Sequence, residues 1–205
     1  MFSNMKNGLL CLFMLISVTA FSQCGVYLTA DDFIAGKLSD EGSSLSVPVV
    51  PGGEGQVVVV TKAGSKTHFF KDIYGYKNKL STYRIINNKP YIQVCRGALN
   101  AFTPYGPIEQ TKNGVVYYRR LMGFGEIVVS TDLHSPNTQT ITSYDELWKV
   151  MDTTYAGKVK EFVRRMTNEN GDIQAVPEQT IEYYNSLQNG FVPAKYTTIK
   201  VDVMR

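Results

Sequence analysis

"TYRIINNKPYIQVC", residues 82–95, decides how the chain is built. Two β-branched and aromatic runs, "TYRII" and "YIQVC", flank "NNKP", the pattern of a β-hairpin. Pro90 stands at the start of the second run, where a missing backbone N–H is tolerated. Working outward, "QVVVVT" (56–61) is β-branched, "KAGSK" offers a turn at Ala63-Gly64, and "THFFK" returns. Asn113-Gly114 is the strongest hairpin dipeptide in the chain and precedes "VVYYRRL". "MGFG" then separates that run from "EIVVSTDL", which predicts another adjacent pair. Strands this short and close, with no helix between them for a parallel crossover, predict an antiparallel meander over 44–133, as a curled sheet or a small barrel.

"HSPNTQT" (134–140) reads as a polar break. Beyond it Ser143 and Glu146 have the spacing of a capping box, and Leu147, Val150, Met151, Tyr155, Val159, Phe162, Val163 and Met166 follow at helical intervals. This predicts one long helix, with Gly157 as a point of kinking and "NENG" ending it near Gly171. Pro177 opens a second, shorter helix carrying Ile181, Tyr184 and Leu187, with Gly190 past its end. "YTTIKVDVMR" alternates Ile199, Val201 and Val203 with polar residues and reads as a final strand over 196–203. An apolar helix stripe must cover something, and the strands supply the surface. The expectation is a single α+β domain over 23–205, helical at 143–190.

The N-terminus "MFSNMKN" carries Lys6 and no acid, and residues 8–21 are uncharged, a secretory-signal pattern over 1–22. A bilayer-spanning helix needs about 20 apolar residues, so no transmembrane span is expected in the mature chain. Ala20 and Ser22 are spaced for signal cleavage before Gln23. Lipoprotein processing before Cys24 is the alternative, although Phe21 and Gln23 stand where a leucine and a small residue are usual. The expected location is therefore periplasmic or extracellular, with an outer-membrane lipoprotein as the alternative. Cys11 leaves with the signal. Cys24 and Cys95 could then close a disulfide in an oxidising compartment, a bond that lipidation of Cys24 would exclude. Otherwise Cys95 is a small buried hydrophobe. The net charge of +3 over 205 residues names no partner. A domain of this size is stable without metal or disulfide.

At "CGVYLTADDFIAGKLS" (24–39) and "KDIYGYKNKLSTYRIINNKPYIQV" (71–94) the chain resembles a group of uncharacterised exported proteins from Bacteroidota. The resemblance rests on the G-V-Y-L-T-x-x-D-F opening and the "KDIYGY" segment. It covers residues 24–39 and 65–96, and it implies export but no particular activity.

His68 and His134 are the two histidines, and neither has a second metal-ligand type at the spacing of a metal site. No metal and no cofactor are expected. A Cys95–histidine nucleophilic pair needs an exposed thiolate, and Cys95 falls inside an expected strand. The sequence holds no G-x-S-x-G elbow and no P-loop. "GGEG" (52–55) and "GFGE" (123–126) read as turns, Asp31-Asp32 as a helix start or solvated turn, and Trp148 as core. No catalytic residue is assigned, and a hydrolase acting through unidentified residues is the third reading.

Charge distribution is the most unusual feature. Lys62, Lys66, Lys71, Lys77, Lys79, Arg84, Lys89 and Arg96 share their segment with one acid, Asp72, and with His68, Phe69, Phe70, Tyr74, Tyr76, Tyr83 and Tyr91. A basic, aromatic face can bind polyanions, with Lys71, Tyr74, Tyr76, Lys77 and Arg84 as candidate contacts. For an exported chain the partner would be an acidic glycan, lipopolysaccharide or an envelope protein, and no nucleic acid is expected. The opposing reading puts the aromatics in the core and the lysines in water, where they block edge-to-edge aggregation. The first functional expectation is a non-enzymatic binding or structural domain of the envelope or extracellular space.

Overall fold

The computed structural model describes residues 23–48, 53–79, 81–104, 108–112, 115–119, 127–166 and 177–190, the backbone alone for 108–112 and 115–119. The fold is α+β, and every strand pair given below is antiparallel. The described sheets are open, so the barrel alternative is not realised. The chain divides into two compact units, with the boundary between Thr82 and Tyr83.

In the first unit, β1 (Cys24–Tyr27) lies between β2 (Asp40–Gly42) and β6 (Gly75–Asn78). All four β1 residues are buried, so it lacks the alternation that marks a half-exposed strand. The expected β-region began at Ser44 and therefore missed it. Glycine is required at 25, because a Cβ there would lie 2.0 Å from the Asp40 carbonyl oxygen of β2. Helix α1 (Ala30–Ala35) follows, with the Thr29 hydroxyl accepting from Asp32 N at 3.1 Å. The acidic pair Asp31-Asp32 thus sits in a helical first turn. Gly36 ends the helix at φ 68°. Phe33 is buried edge-on to Tyr27 and Tyr74, each 5.2 Å away. A second ladder joins β3 (Ser44–Ser46), β4 (Gln56–Thr61) and β5 (Gly64–Phe69), and leads to a 3-10 turn at Phe70–Asp72. In β4, Val57 and Val59 are fully buried while Val58 and Val60 face outward, the period-two pattern of a strand with one covered face.

The second unit begins with the hairpin of β7 (Ser81–Ile86) and β8 (Lys89–Cys95). Asn87 and Asn88 both take positive φ, 51° and 57°, the geometry of the two-residue turn that matches strand twist. β8 pairs with β9 (Asn100–Thr103) through an irregular register at Gln93/Cys95. β10 (Ile108–Lys112) and β11 (Val115–Arg119) pair with each other as a two-stranded antiparallel ladder, and the Asn113-Gly114 dipeptide lies outside the described residues. Here the expected order is corrected. β12 (Ile127–Ser130) pairs with β9 and with β13 (Gln139–Ile141), so the β10–β11 pair is an excursion between two sheet neighbours. The reason is burial. All four β12 residues are buried, a setting that calls for a ladder partner on each side. The supposed polar break at 134–140 likewise donates its last residues to β13.

The long helix is also corrected, into α2 (Tyr144–Val150) and α3 (Thr153–Arg165). Met151 turns extended and the Asp152 carboxylate accepts from Thr154 N at 2.7 Å, capping a new helix five residues before Gly157. Gly157 lies inside α3. Half of the capping box forms as expected, the Ser143 hydroxyl accepting from Glu146 N at 3.3 Å, while the Glu146 carboxylate reaches one residue further back and takes the Thr142 N–H and hydroxyl at 2.6 Å each. α4 (Pro177–Gln188) starts at the proline and ends before Gly190 at φ 69°. Residues 1–22, the "GFGE" turn, the end near Gly171 and the final strand at 196–203 lie outside the described residues. Among the described residues no helix is long and apolar enough to cross a membrane.

In the first unit His68 is buried on β5, with Nε2 3.2 Å from the Asp40 carboxylate that also binds Lys66. Burial pushes its pKa below the ordinary value; Asp40 opposes that, Lys66 adds to it and Asp72 opposes it. The unfolded chain therefore takes up this proton first, near pH 6.5. The stability due to neutral His68 is complete above that value and is lost as the pH falls below it. The thermal midpoint is expected to fall between pH 7.5 and 5, and His68→Gln to flatten the part of the slope near pH 6. An unchanged slope in the variant contradicts the assignment.

Candidate functional site

The bend at residues 96–99, between β8 and β9, is buried at Leu99, which is fully enclosed. Backbone polar groups there have left the ladder and need other partners. Two asparagines supply them. Asn100 accepts from Gly97 N at 3.4 Å and donates to Gly97 O at 3.2 Å. Asn185, reaching from α4, accepts from Leu99 N at 2.9 Å and donates to Leu99 O at 2.8 Å. Gly97 must lack a side chain, because a Cβ would stand 2.6 Å from the Asn185 amide carbon.

Around this clamp α4 is anchored by Ile181 and Tyr184, which join Leu99, Leu147 and Val159 in the core. The Tyr184 hydroxyl accepts from Asp152 N at 3.1 Å, tying α4 to the start of α3, and from Gln188 Nε2 at 2.9 Å. Burial raises the Tyr144 phenol above its usual pKa, partly offset by a hydrogen bond with Thr180.

Where the end of β8 meets α4 lies a cleft of about 290 Å³, lined by Val94, Cys95, Arg96, Glu182, Asn185, Ser186 and Asn189. The last four share one helix face at i, i+3, i+4 and i+7. Cys95 donates to the Glu178 carbonyl at 3.5 Å, and the Ser186 hydroxyl donates to the Tyr183 carbonyl at 2.6 Å, keeping its lone pairs as acceptors. Arg96 and Asn189 are exposed at the mouth and Glu182 is half-buried. The lining offers guanidinium, amide, hydroxyl and carboxylate groups, but the greater part of its exposed surface is apolar. Its formal charges cancel. A second groove, lined by Leu99, Val129, Ser130, Thr131, Asn137, Thr138, Gln139 and Val150, has no charged side chain to orient a ligand.

The residues singled out from the basic segment fall in both units and differ in burial. In the first unit, Lys71 is exposed, binds both Glu54 carboxylate oxygens at 2.8 and 2.9 Å, and lies 5.5 Å over the Phe69 ring. Its pKa is raised, first by the hydrogen bond to Glu54 and then by that charge. Tyr74 is half-buried against Phe33, and Tyr76 is buried and stacked on Phe70 at 6.4 Å. Lys77 is half-buried in β6. Arg84 belongs to the second unit, where it is buried, donates from Nη2 to Ser135 O at 2.7 Å and lies 5.5 Å from the Phe102 ring centre. Tyr76 and Arg84 are interior groups.

Cys24 and Cys95 are both buried thiols, and no disulfide joins them. Cys24 donates to Gly42 O at 3.2 Å within the first unit, whereas Cys95 lines the cleft of the second. His134 lies in the polar turn after β12, its N–H on the Asp132 carboxylate at 2.8 Å. Trp148 is half-buried, stacked on Tyr144 at 5.3 Å with the Lys160 ammonium 5.8 Å from its ring centre. Among the described residues no group of three His, Cys, Asp or Glu side chains could hold a metal ion. The α4 residues of the cleft escaped the sequence reading. The available signal was Asn185, a polar residue at the i+4 position of the Ile181–Tyr184 stripe. No family model matches the chain, and no curated protein or solved structure matches it either.

Removing the clamp leaves two buried backbone groups of Leu99 without partners, each costing roughly 1–3 kcal/mol. Asn185→Ala is expected to destabilise the protein by about 3 kcal/mol in urea unfolding, and Gly97→Ala by a similar amount through displacement of the same amide. Wild-type midpoints in both variants would show that the clamp carries no weight.

Proposed function

We propose that the chain is an exported binding domain rather than an enzyme, and that its ligand sits in the cleft between β8 and α4. The observation that carries this reading is the cleft itself. It has a mainly apolar lining with a few charge-balanced polar groups, on a frame held by the Asn185–Leu99 clamp, the rigid support a binding site requires. Its lining has no imidazole, so acid–base chemistry would fall to Glu182 alone. Export rests on the signal pattern at 1–22. Burial of Cys24 in β1 supports cleavage before Gln23 over lipidation, because a diacylglyceryl thioether would have to pull the first strand residue out of its ladder.

Polyanion binding is the second reading, favoured by the exposed Lys71–Phe69 pair. Glu54 on Lys71 and Asp40 on Lys66 work against it.

A ligand for the cleft is expected to raise the thermal midpoint of wild type, and Arg96→Ala and Asn189→Ala to lose that rise while their own midpoints stay near wild type. A rise retained by both variants places the ligand elsewhere. Expressed in a host that processes signals, the protein is expected to start at Gln23 with two thiols by intact mass. A diacylglycerol on Cys24, or a loss of two protons, overturns that expectation.

A further inference from the structure

We infer that β5 is a self-association strand, whose open edge pairs antiparallel with the β5 of a second copy of this chain about a twofold axis at Thr67. The surface belongs to the first unit and is independent of the cleft.

β5 ends its sheet. The strand order is β3, β4, β5, and among the described residues β4 is the ladder partner of β5. Five of its six residues are exposed. In an antiparallel ladder, alternate residues turn their N–H and C=O groups to the neighbouring strand and the rest turn them away. Phe70 N donates to Gly55 O at 2.8 Å, one step beyond the ladder, which fixes the alternation. Gly64, Lys66 and His68 bond to β4, and Ser65, Thr67 and Phe69 direct their backbone groups outward.

The side chains leave that edge open. Edge strands are commonly blunted by charges that repel another strand. Ser65 and Thr67 instead stand opposite the outward-facing Val60 and Val58, Phe69 is 39% exposed, and β3 adds only serines to this face. The one lysine of β5, Lys66, lies on the other face with His68, and both meet the Asp40 carboxylate, at 2.5 and 3.2 Å.

Charge selects the occupant. With Lys66 balanced by Asp40 the edge is neutral, so it favours a neutral strand over an acidic or a basic one. A second β5 is such a strand. A twofold axis at Thr67 sets Thr67 against Thr67 of the second copy and Ser65 against its Phe69, so all three outward residues pair with outward residues. Lys66 then faces His68 of the second copy. An axis one position earlier, at Lys66, would oppose two ammonium groups. The result is a continuous six-stranded sheet with one uncharged face, joined by a Thr–Thr pair at its centre.

The test is sedimentation equilibrium of the full mature chain. One strand pair makes an interface at the small end, so dimer is expected to grow between about 5 and about 500 μM. Thr67→Lys and Thr67→Glu each place like charges across the axis and are expected to weaken association about tenfold or more. Their equimolar mixture is expected to regain wild-type association as a heterodimer, with thermal midpoints near wild type in both variants. Thr67→Pro, which removes the central outward N–H, is expected to remain monomeric; should it unfold, the charged pair carries the test. A wild type that is monomeric throughout overturns the inference. Dimerisation unmoved by either charged variant puts the interface elsewhere and overturns it too. Weakening in both variants without recovery in the mixture overturns the register at Thr67. A monomeric wild type that binds a peptide of alternating valine and threonine, and loses it in Thr67→Pro, gives the edge to a foreign strand and overturns the second copy.

Discussion

Two hydrogen bonds from one side-chain amide hold the second unit in register. Asn185 presents a donor and an acceptor to the Leu99 backbone as a neighbouring strand would, at a bend where the β8–β9 ladder has opened. Leu99 is fully buried there, so water cannot substitute. Other features follow from this constraint. Gly97 must be bare because the amide occupies the space of its Cβ. Asn100 must hold Gly97 from the other side. α4 must also lie with its 182–189 face against the end of β8, and that placement opens the cleft between them.

The same placement explains why polar side chains line a cleft inside an apolar framework. Ile181 and Tyr184 turn toward the core with Leu147 and Val159, while the helix period brings Glu182, Asn185, Ser186 and Asn189 round to the sheet end. Tyr184 joins the two surfaces. Its ring is core, and its hydroxyl takes the Asp152 N–H that the start of α3 leaves open. The walls of the cleft are thus held by groups already fixed by folding.

Much of the fold was legible because its signals are local. The Asn-Asn turn needs only its own two positive φ angles, Pro177 and Gly190 bracket α4 by backbone preference alone, and the Ser143–Glu146 cap closes within one turn. β1 was not legible, because four residues buried on both faces show no alternation. Neither was the β9–β12 pairing. The chain passes through β10 and β11 first, and nothing in "EIVVSTDL" indicates that its partner lies earlier than the preceding strand. The helix break at Asp152 competed with an unbroken apolar period running through it, and the cap prevailed.

The candidate site divides along the same line. Sequence by itself determined the class of fold, the N-terminal signal pattern, the turns and caps, and the richness of residues 62–96 in lysine and tyrosine, all of which depend on neighbours a few positions apart. Tertiary structure decided which of those side chains reach water. Tyr76 was buried against Phe70 and Arg84 beside Phe102, while Glu54 and Asp40 came from distant positions to meet Lys71 and Lys66. It also brought Arg96 to the same cleft as residues 182–189. The physical reason is that burial and opposition of charge are set by separation in space, and residues some ninety positions apart become neighbours only when the helix docks.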